Sequence, residues 1–215
     1  ITNVAYYKMS SAADEKDTYN GTASNVNFNV AGKFGNAAEF NGSSSYMDTN
    51  YTLPTDSTMS FSFWINVDSL PSGDTYILSD LSSSATDRRL DFRLKGSEGG
   101  RLYIDIGNGS SNDTTNNTSF VPTLNTWHHI AVTLNGYTIK VYVDNGTPVT
   151  LTSSVEFGTA GARSISLGRA GDYNGAYYDG KIDQVRIFSS ALSATQAASL
   201  YNEVYCVPTI VPTSY

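Results

Sequence analysis

The 215-residue sequence contains a single cysteine, Cys206, so no internal disulfide can hold the fold together. Its 13 lysines and arginines are outnumbered by 20 aspartates and glutamates, which gives a net charge of −7. This balance excludes the cationic surface that binds a nucleic acid backbone or an anionic lipid. No apolar run approaches the roughly 18 residues needed to span a bilayer. We therefore expect neither a nucleic acid partner nor membrane insertion.

The residues that are abundant indicate a polar, aromatic surface. Charged residues make up only 15% of the chain, whereas tyrosine occurs 15 times and glycine 18 times. Such a surface suits neutral polar ligands such as glycans. The length allows one sizeable core, so we expect one domain over residues 1–204 and a Pro-Thr-rich tail or linker over 205–215. The isoleucine at position 1 and this tail indicate a processed form or a piece of a longer polypeptide.

Alternation of apolar and polar residues predicts an all-β protein. The clearest strand, 59–67, directs its apolar side chains to one face and Trp64 to the other, where Trp64 is either a packed residue or a ligand platform. A hairpin is predicted around Asn135-Gly136, between strands 127–134 and 138–144. Further strands are predicted at 4–9, 37–47 with a break at 41–42, 76–80, 90–94, 102–106, 164–167 and 181–188, and polar loops at 82–84 and 108–119.

One short helix is predicted near the C-terminus. Ser193 is its expected N-cap, and Gln196 is placed to close a capping box. We expect the helix to end near Asn202 and to pack against the sandwich in a purely structural role. The apolar positions with helical spacing are Ala197, Leu200, Tyr201 and Val204.

Eight short motifs follow one another along the chain. They are Tyr6-Tyr7; the polar segment 14–22; Gly-Asn-Ala-Ala-Glu-Phe-Asn-Gly at 35–42; the aromatic strand 61–65; Trp127-His128-His129-Ile130-Ala131; Tyr142-Val143-Asp144-Asn145-Gly146; Ile182-Asp183-Gln184-Val185-Arg186-Ile187; and Leu192-Ser193. In this order the sequence resembles the laminin-G-like branch of the concanavalin-A-like lectin and glucanase jelly rolls. The resemblance implies an all-β, two-sheet antiparallel jelly-roll sandwich with one short C-terminal helix. Such domains usually bind rather than catalyse.

A second resemblance concerns residues 26–35 and 41–46, which are similar to versions of this domain in structural proteins of bacteriophages. It implies an extracellular or virion-surface location. The expected partners are then a host or environmental polysaccharide and other virion subunits.

The loop 169–181 is the candidate ligand site, because it places aromatic rings beside short polar groups among glycines. Aromatic faces cover the C–H patches of a sugar ring while polar groups bind its hydroxyls. The alternative is a structural turn whose tyrosines pack on the sandwich. The candidate ligand-binding residues are Arg169, Asp172, Tyr173, Asn174, Tyr177 and Tyr178.

Asp183 is the candidate metal ligand. It shares strand parity with Val185 and Ile187, which predicts a carboxylate on a core-like face that needs a partner. Related jelly rolls often bind calcium, and the polar loop with Asp14, Asp17 and Asn20 offers further oxygen ligands. The alternative is that Asp183 accepts hydrogen bonds from the backbone or Arg186. No contiguous calcium-loop motif is present.

No catalytic residue is predicted. A retaining glycosidase needs two carboxyls about 5 Å apart, and the Glu-x-Asp-x-x-Glu run that supplies them in jelly-roll glucanases does not occur here. Asp91 and Asp105 lie in separate predicted strands and could approach each other, but we expect them to be exposed strand residues. The family resemblance implies that His129 is a structural imidazole. We expect a non-catalytic adhesion module that recognises a glycan. The alternatives are a structural or decoration protein of a virion acting through protein contacts and, less favoured, a glycoside hydrolase.

Overall fold

The computed structural model describes residues 2–70, 72–80, 90–158, 164–171 and 176–204. Within these ranges the chain forms strands, a single turn of 3-10 helix (Gly96–Glu98) and one α-helix, α1 (Ala194–Tyr201). In chain order the strands are β1 (Ala5–Tyr7), β2 (Thr22–Ser24), β3 (Asn27–Ala31), β4 (Asn36–Asn41), β5 (Tyr46–Thr52), β6 (Thr58–Val67), β7 (Thr75–Asp80), β8 (Leu90–Lys95), β9 (Arg101–Gly107), β10 (Asn112–Asp113), β11 (Trp127–Asn135), β12 (Thr138–Val143), β13 (Val149–Thr152), β14 (Ser164–Leu167) and β15 (Asp179–Phe188).

The strands form two antiparallel sheets that pack as a jelly-roll sandwich. The eight-stranded sheet has the order β13-β12-β11-β6-β15-β4-β3, and β1 also pairs with β15. The seven-stranded sheet has the order β10-β9-β8-β7-β14-β5-β2. The predicted fold class, an all-β two-sheet sandwich with one short C-terminal helix, is confirmed. No helix in the described ranges is long and apolar enough to cross a membrane.

The predicted strands are present, with ends shifted by a few residues, and the hairpin around Asn135-Gly136 pairs β11 with β12 as expected. Four short strands, β2, β3, β10 and β13, were not predicted. They are two to five residues long and lie at the sheet edges, where each pairs with a single neighbouring strand. Strand β10 falls within the segment 108–119 that the sequence predicts as a loop, and residues 82–84 lie outside the described ranges.

The core fills the space between the sheets. Its centre is an aromatic contact in which Phe92 of the seven-stranded sheet meets Phe61 edge-on, with ring centroids 5.2 Å apart, and stacks on Phe63 at 5.8 Å. All three rings are buried. Each buried aromatic side chain removes on the order of 150–250 Å² of surface from water. This contact is therefore a main source of cohesion between the two sheets.

Helix α1 covers the outer face of the eight-stranded sheet. Ser193 caps it, and the reciprocal hydrogen bonds with Gln196 form the predicted capping box. Tyr201 stacks on Trp64 with ring centroids 5.5 Å apart, and Trp64 is only 2% exposed. Trp64 is therefore a packed residue and not a ligand platform. Val204, predicted on the packed side of the helix, is exposed and lies beyond its end.

Candidate functional site

A polar cleft of about 390 Å³ opens where three connections meet at one end of the sandwich. These are the turn after β4, the segment between β6 and β7, and the residues leading into β15. The lining residues are Asn41, Gly42, Ser69, Ser72, Gly73, Asp74, Thr75, Tyr177 and Asp179. The cleft thus places one aromatic ring among hydroxyl, amide and carboxylate groups, and Tyr177 comes from the loop that the sequence singles out.

The turn at Asn41-Gly42 is held by its own hydrogen bonds. The side-chain oxygen Oδ1 of Asn41 accepts the backbone N–H groups of Ser43, Ser44 and Ser45 at 2.9–3.1 Å. Gly42 has a φ of +68° and donates its N–H to the carbonyl of Tyr178 at 3.0 Å. An added Cβ at this glycine would lie 3.0 Å from the Cβ of Asp179. This rim of the cleft is therefore pre-formed, and a glycine is needed there.

Asp179 begins strand β15 on the opposite side of that turn. It is the cross-strand partner of Asn41, and its carboxylate accepts a hydrogen bond from the hydroxyl of Ser69. Its carbonyl accepts the N–H of Asp68 at 3.1 Å. These contacts fix the three connections relative to one another, so the cleft is part of the folded framework.

The two neighbouring tyrosines 177 and 178 have opposite environments. Tyr178 is fully buried against Phe40, and its hydroxyl donates to the carbonyl of Asn66 at 3.1 Å. Tyr178 therefore belongs to the core, and its assignment as a ligand-binding residue is wrong. Tyr177 is half-buried, pairs its backbone with Tyr76 and lines the cleft. The structural alternative applies to Tyr178, whereas Tyr177 stays a candidate ligand residue, because successive side chains of an extended chain point to opposite sides.

Arg169 does not line the cleft. Its guanidinium binds both carboxylate oxygens of Asp48 at 2.8 and 2.9 Å, donates to Ser166 at 3.2 Å and lies 3.6 Å above the ring centroid of Tyr46. Asp172, Tyr173 and Asn174 lie outside the described residues. Of the predicted ligand residues that the structure describes, Tyr177 is the one that lines the cleft.

A row of polar side chains crosses the outer face of the seven-stranded sheet next to the cleft. Aligned residues on β5, β14, β7, β8 and β9 form it: Asp48, Ser166, Ser79, Asp91 and Asp105. Asp91 and Asp105 are buried, so the expectation of exposed strand carboxylates is wrong for both. Asp91 accepts a hydrogen bond from Ser79, and Asp105 forms an ion pair with Arg93. The carboxylates are thus held by internal partners.

Arg93 links this row to the cleft. Its side chain is 7% exposed and contacts the carboxylates of both Asp105 and Asp74, and it donates to the carbonyl of Thr114 at 3.1 Å. Asp74, in turn, lines the cleft. One buried guanidinium therefore holds a cleft carboxylate in place and has little freedom to reach a ligand.

The predicted calcium ligands form two separate networks. Asp14 accepts backbone N–H groups of Tyr6, Thr18 and Tyr19 at 2.8–3.3 Å, and Asn20 donates to Asp17 at 2.6 Å within the same turn. Asp183 instead accepts the N–H of Phe34 at 3.0 Å and a side-chain N–H of Gln184 at 3.2 Å. In the described part of the chain, no three acidic, histidine or cysteine side chains are grouped as a metal site. The expected set of Asp14, Asp17, Asn20 and Asp183 is therefore not assembled, and these residues do not fit a shared calcium ion.

A β-bulge explains why the prediction for Asp183 fails. The pairing of β15 with β6 shifts register between Asp183 and Arg186, and Gln184 has a φ of +52°. Strand parity therefore reverses at Gln184, which leaves Val185 in the core and Asp183 beside Trp64 on the outer face. The hydrogen-bonded alternative is correct in kind, although Gln184 rather than Arg186 is the side-chain partner.

His129 and Asp183 lie in one row with Trp64 beneath α1, and their pKa values are shifted in opposite directions. Burial lowers the pKa of His129 from 6.5 to about 4. Burial raises the pKa of Asp183 from 3.8 to about 6, although its hydrogen bonds from Phe34 and Gln184 oppose the shift. His129 shares a hydrogen bond of 2.9 Å with Ser62, which supports its predicted structural role.

Acidification should act on these two residues with opposite sign. As the pH falls from 6.5 to 4, the unfolded chain binds a proton at His129 that the folded protein does not, so stability decreases. As the pH falls from 6 to 3.8, the folded protein binds a proton at Asp183 that the unfolded chain does not, so stability increases. We expect the free energy of unfolding of His129→Gln, measured by urea unfolding, to decrease less on acidification than that of the unchanged protein. Between about pH 7 and about pH 4.5 the two changes should differ by on the order of 2 kcal/mol. Identical pH profiles would contradict this account.

Comparison with known proteins places the fold in a family. A family model described as the concanavalin A-like lectin/glucanases superfamily matches residues 41–198, which is more than half of the chain. The chain belongs to this superfamily. The matched region contains every lining residue of the cleft. No curated protein matches the sequence.

Solved structures of the superfamily fold include domain 4 of AbnA, a GH43 extracellular arabinanase from Geobacillus stearothermophilus, in complex with arabinotriose. It is 20% identical with a TM-score of 0.77, and the alignment covers 94% of this chain and 98% of that one. The binding domain of Paraclostridial Mosquitocidal Protein 1 is 19% identical with a TM-score of 0.71. The ligand binding domain of botulinum neurotoxin serotype D, in complex with N-acetylneuraminic acid, is 16% identical with a TM-score of 0.69. For the two toxin domains the alignment covers 93% of this chain and about half of theirs, 52% and 50%. These similarities establish a shared fold.

Proposed function

We propose that the protein is a non-catalytic binding module that recognises a cell-surface or environmental glycan in the cleft beside Tyr177. The observation that carries the proposal is the lining itself. One half-buried aromatic ring faces a space bordered by Asn41, Ser69, Thr75 and Asp179. A sugar ring needs such a combination, because its C–H face packs on an aromatic ring while its hydroxyls bind short polar groups.

The fold family supports the proposal. The arabinanase domain is described with a bound arabinotriose and the neurotoxin domain with a bound N-acetylneuraminic acid. A second depression, of about 460 Å³, lies between α1 and residues 145–148, but its aromatic residue, Tyr142, is only 5% exposed. The cleft at Tyr177 therefore offers the better surface for a sugar.

The arrangement of carboxylates favours binding over hydrolysis. The two cleft carboxylates already have partners, since Asp74 is paired with Arg93 and Asp179 accepts a hydrogen bond from Ser69. Asp91 and Asp105 are directly opposed across β8 and β9 but are buried. Release of reducing ends from a polysaccharide would overturn the non-catalytic assignment.

A structural role in a virion is the second candidate, and exposed apolar side chains on two neighbouring segments favour it. Leu70, Val121 and Leu124 are each about two-fifths exposed, at 38%, 40% and 41%. The N–H of Asn125 donates to the carbonyl of Val67 at 2.8 Å, which brings the two segments side by side. Exposed apolar groups in one region are typical of protein contacts. For either role we propose an extracellular or virion-surface location.

The proposal is tested by screening the purified protein on a broad glycan array, first with calcium and then with a chelator. Hits that persist in chelator support a metal-free cleft. Hits that disappear in chelator would show that binding needs calcium, held by residues other than the expected set of four ligands. A blank array combined with self-assembly in solution would overturn the glycan proposal in favour of the structural role.

A further inference from the structure

We infer that the cleft selects glycans by charge, because Asp74 and Asp179 line it and its described lining residues include no cation: it accepts neutral sugars and rejects sugars that carry a carboxylate. This inference rests on the proposed glycan-binding function. It names the ligand class of the same site.

The lining residues set the sign of the field in the cleft. Asp74 and Asp179 are its charged members, and no lysine or arginine belongs to the lining formed by the described residues. The side chain of Asp74 is 35% exposed, so its charge faces the solvent in the cleft as well as Arg93. The whole chain is also acidic, with a net charge of −7. An incoming anion therefore meets negative charge both at long range and at the site.

The lysine two positions after Asp179 is already engaged. Lys181 binds both carboxylate oxygens of Asp68 at 2.8 and 2.9 Å and lies 3.8 Å from Glu39. Its side chain is 22% exposed. If this lysine turned toward a ligand carboxylate, its two acidic neighbours would lose their cationic partner and their negative charges would be left unpaired.

Arg93 is even less available. It is held between Asp105 and Asp74 and donates a further hydrogen bond to a backbone carbonyl. An arginine that recognises a carboxylate commonly offers two parallel N–H groups to it. Here those groups are directed at the protein's own carboxylates, so the arginine that would be needed for acidic sugars is absent from the cleft surface in the described residues.

The physical consequence is a penalty for acidic ligands. Two like charges a few ångströms apart near a protein surface repel strongly enough to weaken binding by roughly tenfold or more. The penalty decreases at high ionic strength, because salt screens charges that remain in contact with solvent. A neutral sugar of the same shape is not repelled by the carboxylates and can use them as hydrogen-bond acceptors.

The test uses pairs of glycans that differ in charge: methyl-esterified and de-esterified galacturonan, arabinoxylan and glucuronoxylan, and asialo and sialylated N-glycans. We expect the neutral member of a bound pair to bind about tenfold or more tightly, and the ratio to decrease between about 50 mM and about 500 mM NaCl. Equal or tighter binding of the acidic member would overturn the charge inference alone. No binding to either member of any pair would overturn the proposed function and the inference with it.

The variant Asp179→Asn assigns the selectivity to the cleft. Asparagine keeps the shape and an acceptor oxygen for the Ser69 hydroxyl but removes one charge, so the ratio of neutral to acidic binding should decrease severalfold. Asp56→Asn is the matched control, because it removes the same charge from an exposed residue that does not line the cleft. An unchanged ratio in Asp179→Asn, or an equal decrease in both variants, would contradict the assignment. Far-ultraviolet circular dichroism checks that both variants fold.

Discussion

Replacement of Trp64 by alanine is expected to destabilise the protein by about 3–5 kcal/mol, the range for removal of a buried tryptophan. The ring is 2% exposed and stacks on Tyr201 of α1. It also meets the rings of His129 and Phe34 at 5.1 and 6.1 Å, and the Nζ atom of Lys33 lies 4.2 Å from its centroid. Because the surroundings of such a cavity relax only partially, the variant loses both burial and the ring on which Tyr201 of the helix packs.

Urea unfolding followed by circular dichroism measures this loss. Tyr137→Ala is a suitable control, because that aromatic side chain is 51% exposed and its removal should change stability by about 0.5 kcal/mol or less. Hydrogen exchange should show earlier opening of residues 194–201 in the tryptophan variant than in the control. A loss below about 1 kcal/mol for Trp64→Ala would contradict the structural role assigned to this residue.

Replacement of Tyr177 by alanine is expected to weaken glycan binding by tenfold or more, because aromatic anchors at the centre of a site contribute about 2 kcal/mol or more. The backbone bridge to Tyr76 does not need the side chain, so the unfolding free energy should change by about 1 kcal/mol or less. Titration calorimetry with a glycan from the array measures the effect. Tyr177→Phe should keep most of the affinity, since it keeps the aromatic face.

The control for this prediction is again Tyr137→Ala, which removes an exposed tyrosine that does not line the cleft. Its affinity should equal that of the unchanged protein. If Tyr177→Ala binds as well as the control, the ring does not contact the sugar. The proposed site would then be contradicted, because Tyr177 is the only aromatic residue in the described lining of the cleft.

Most of the fold could be predicted from the sequence, because local signals determine it. Ser193 and Gln196 lie at the spacing of a capping box, and Asn135-Gly136 lies between two alternating segments; both signals have one dominant structural outcome. The bulge at Gln184 has no comparable signal. A residue at positive φ inside an apolar strand reverses the alternation of faces, so simple alternation predicts the wrong face for Asp183.

The candidate site was predicted only in part, for a physical reason. It is assembled from residues 41–42, 69, 72–75, 177 and 179, which the sandwich topology brings together although they are more than 100 positions apart at the extremes. A single sequence reveals the composition of each segment but not which segments lie close together in the fold. Strand parity did contain one unused signal: counting back in steps of two from buried Ile182 places Tyr178 on the core face and Tyr177 on the other.

The most direct test of the central claim is a crystal structure of the protein with a neutral oligosaccharide identified on the array. The account predicts a sugar ring packed on Tyr177, with hydroxyls hydrogen-bonded to Asp179 or Asn41. A sugar bound instead over Asp48 and Arg169, or in the depression beside α1, with the cleft at Tyr177 left empty, would contradict it.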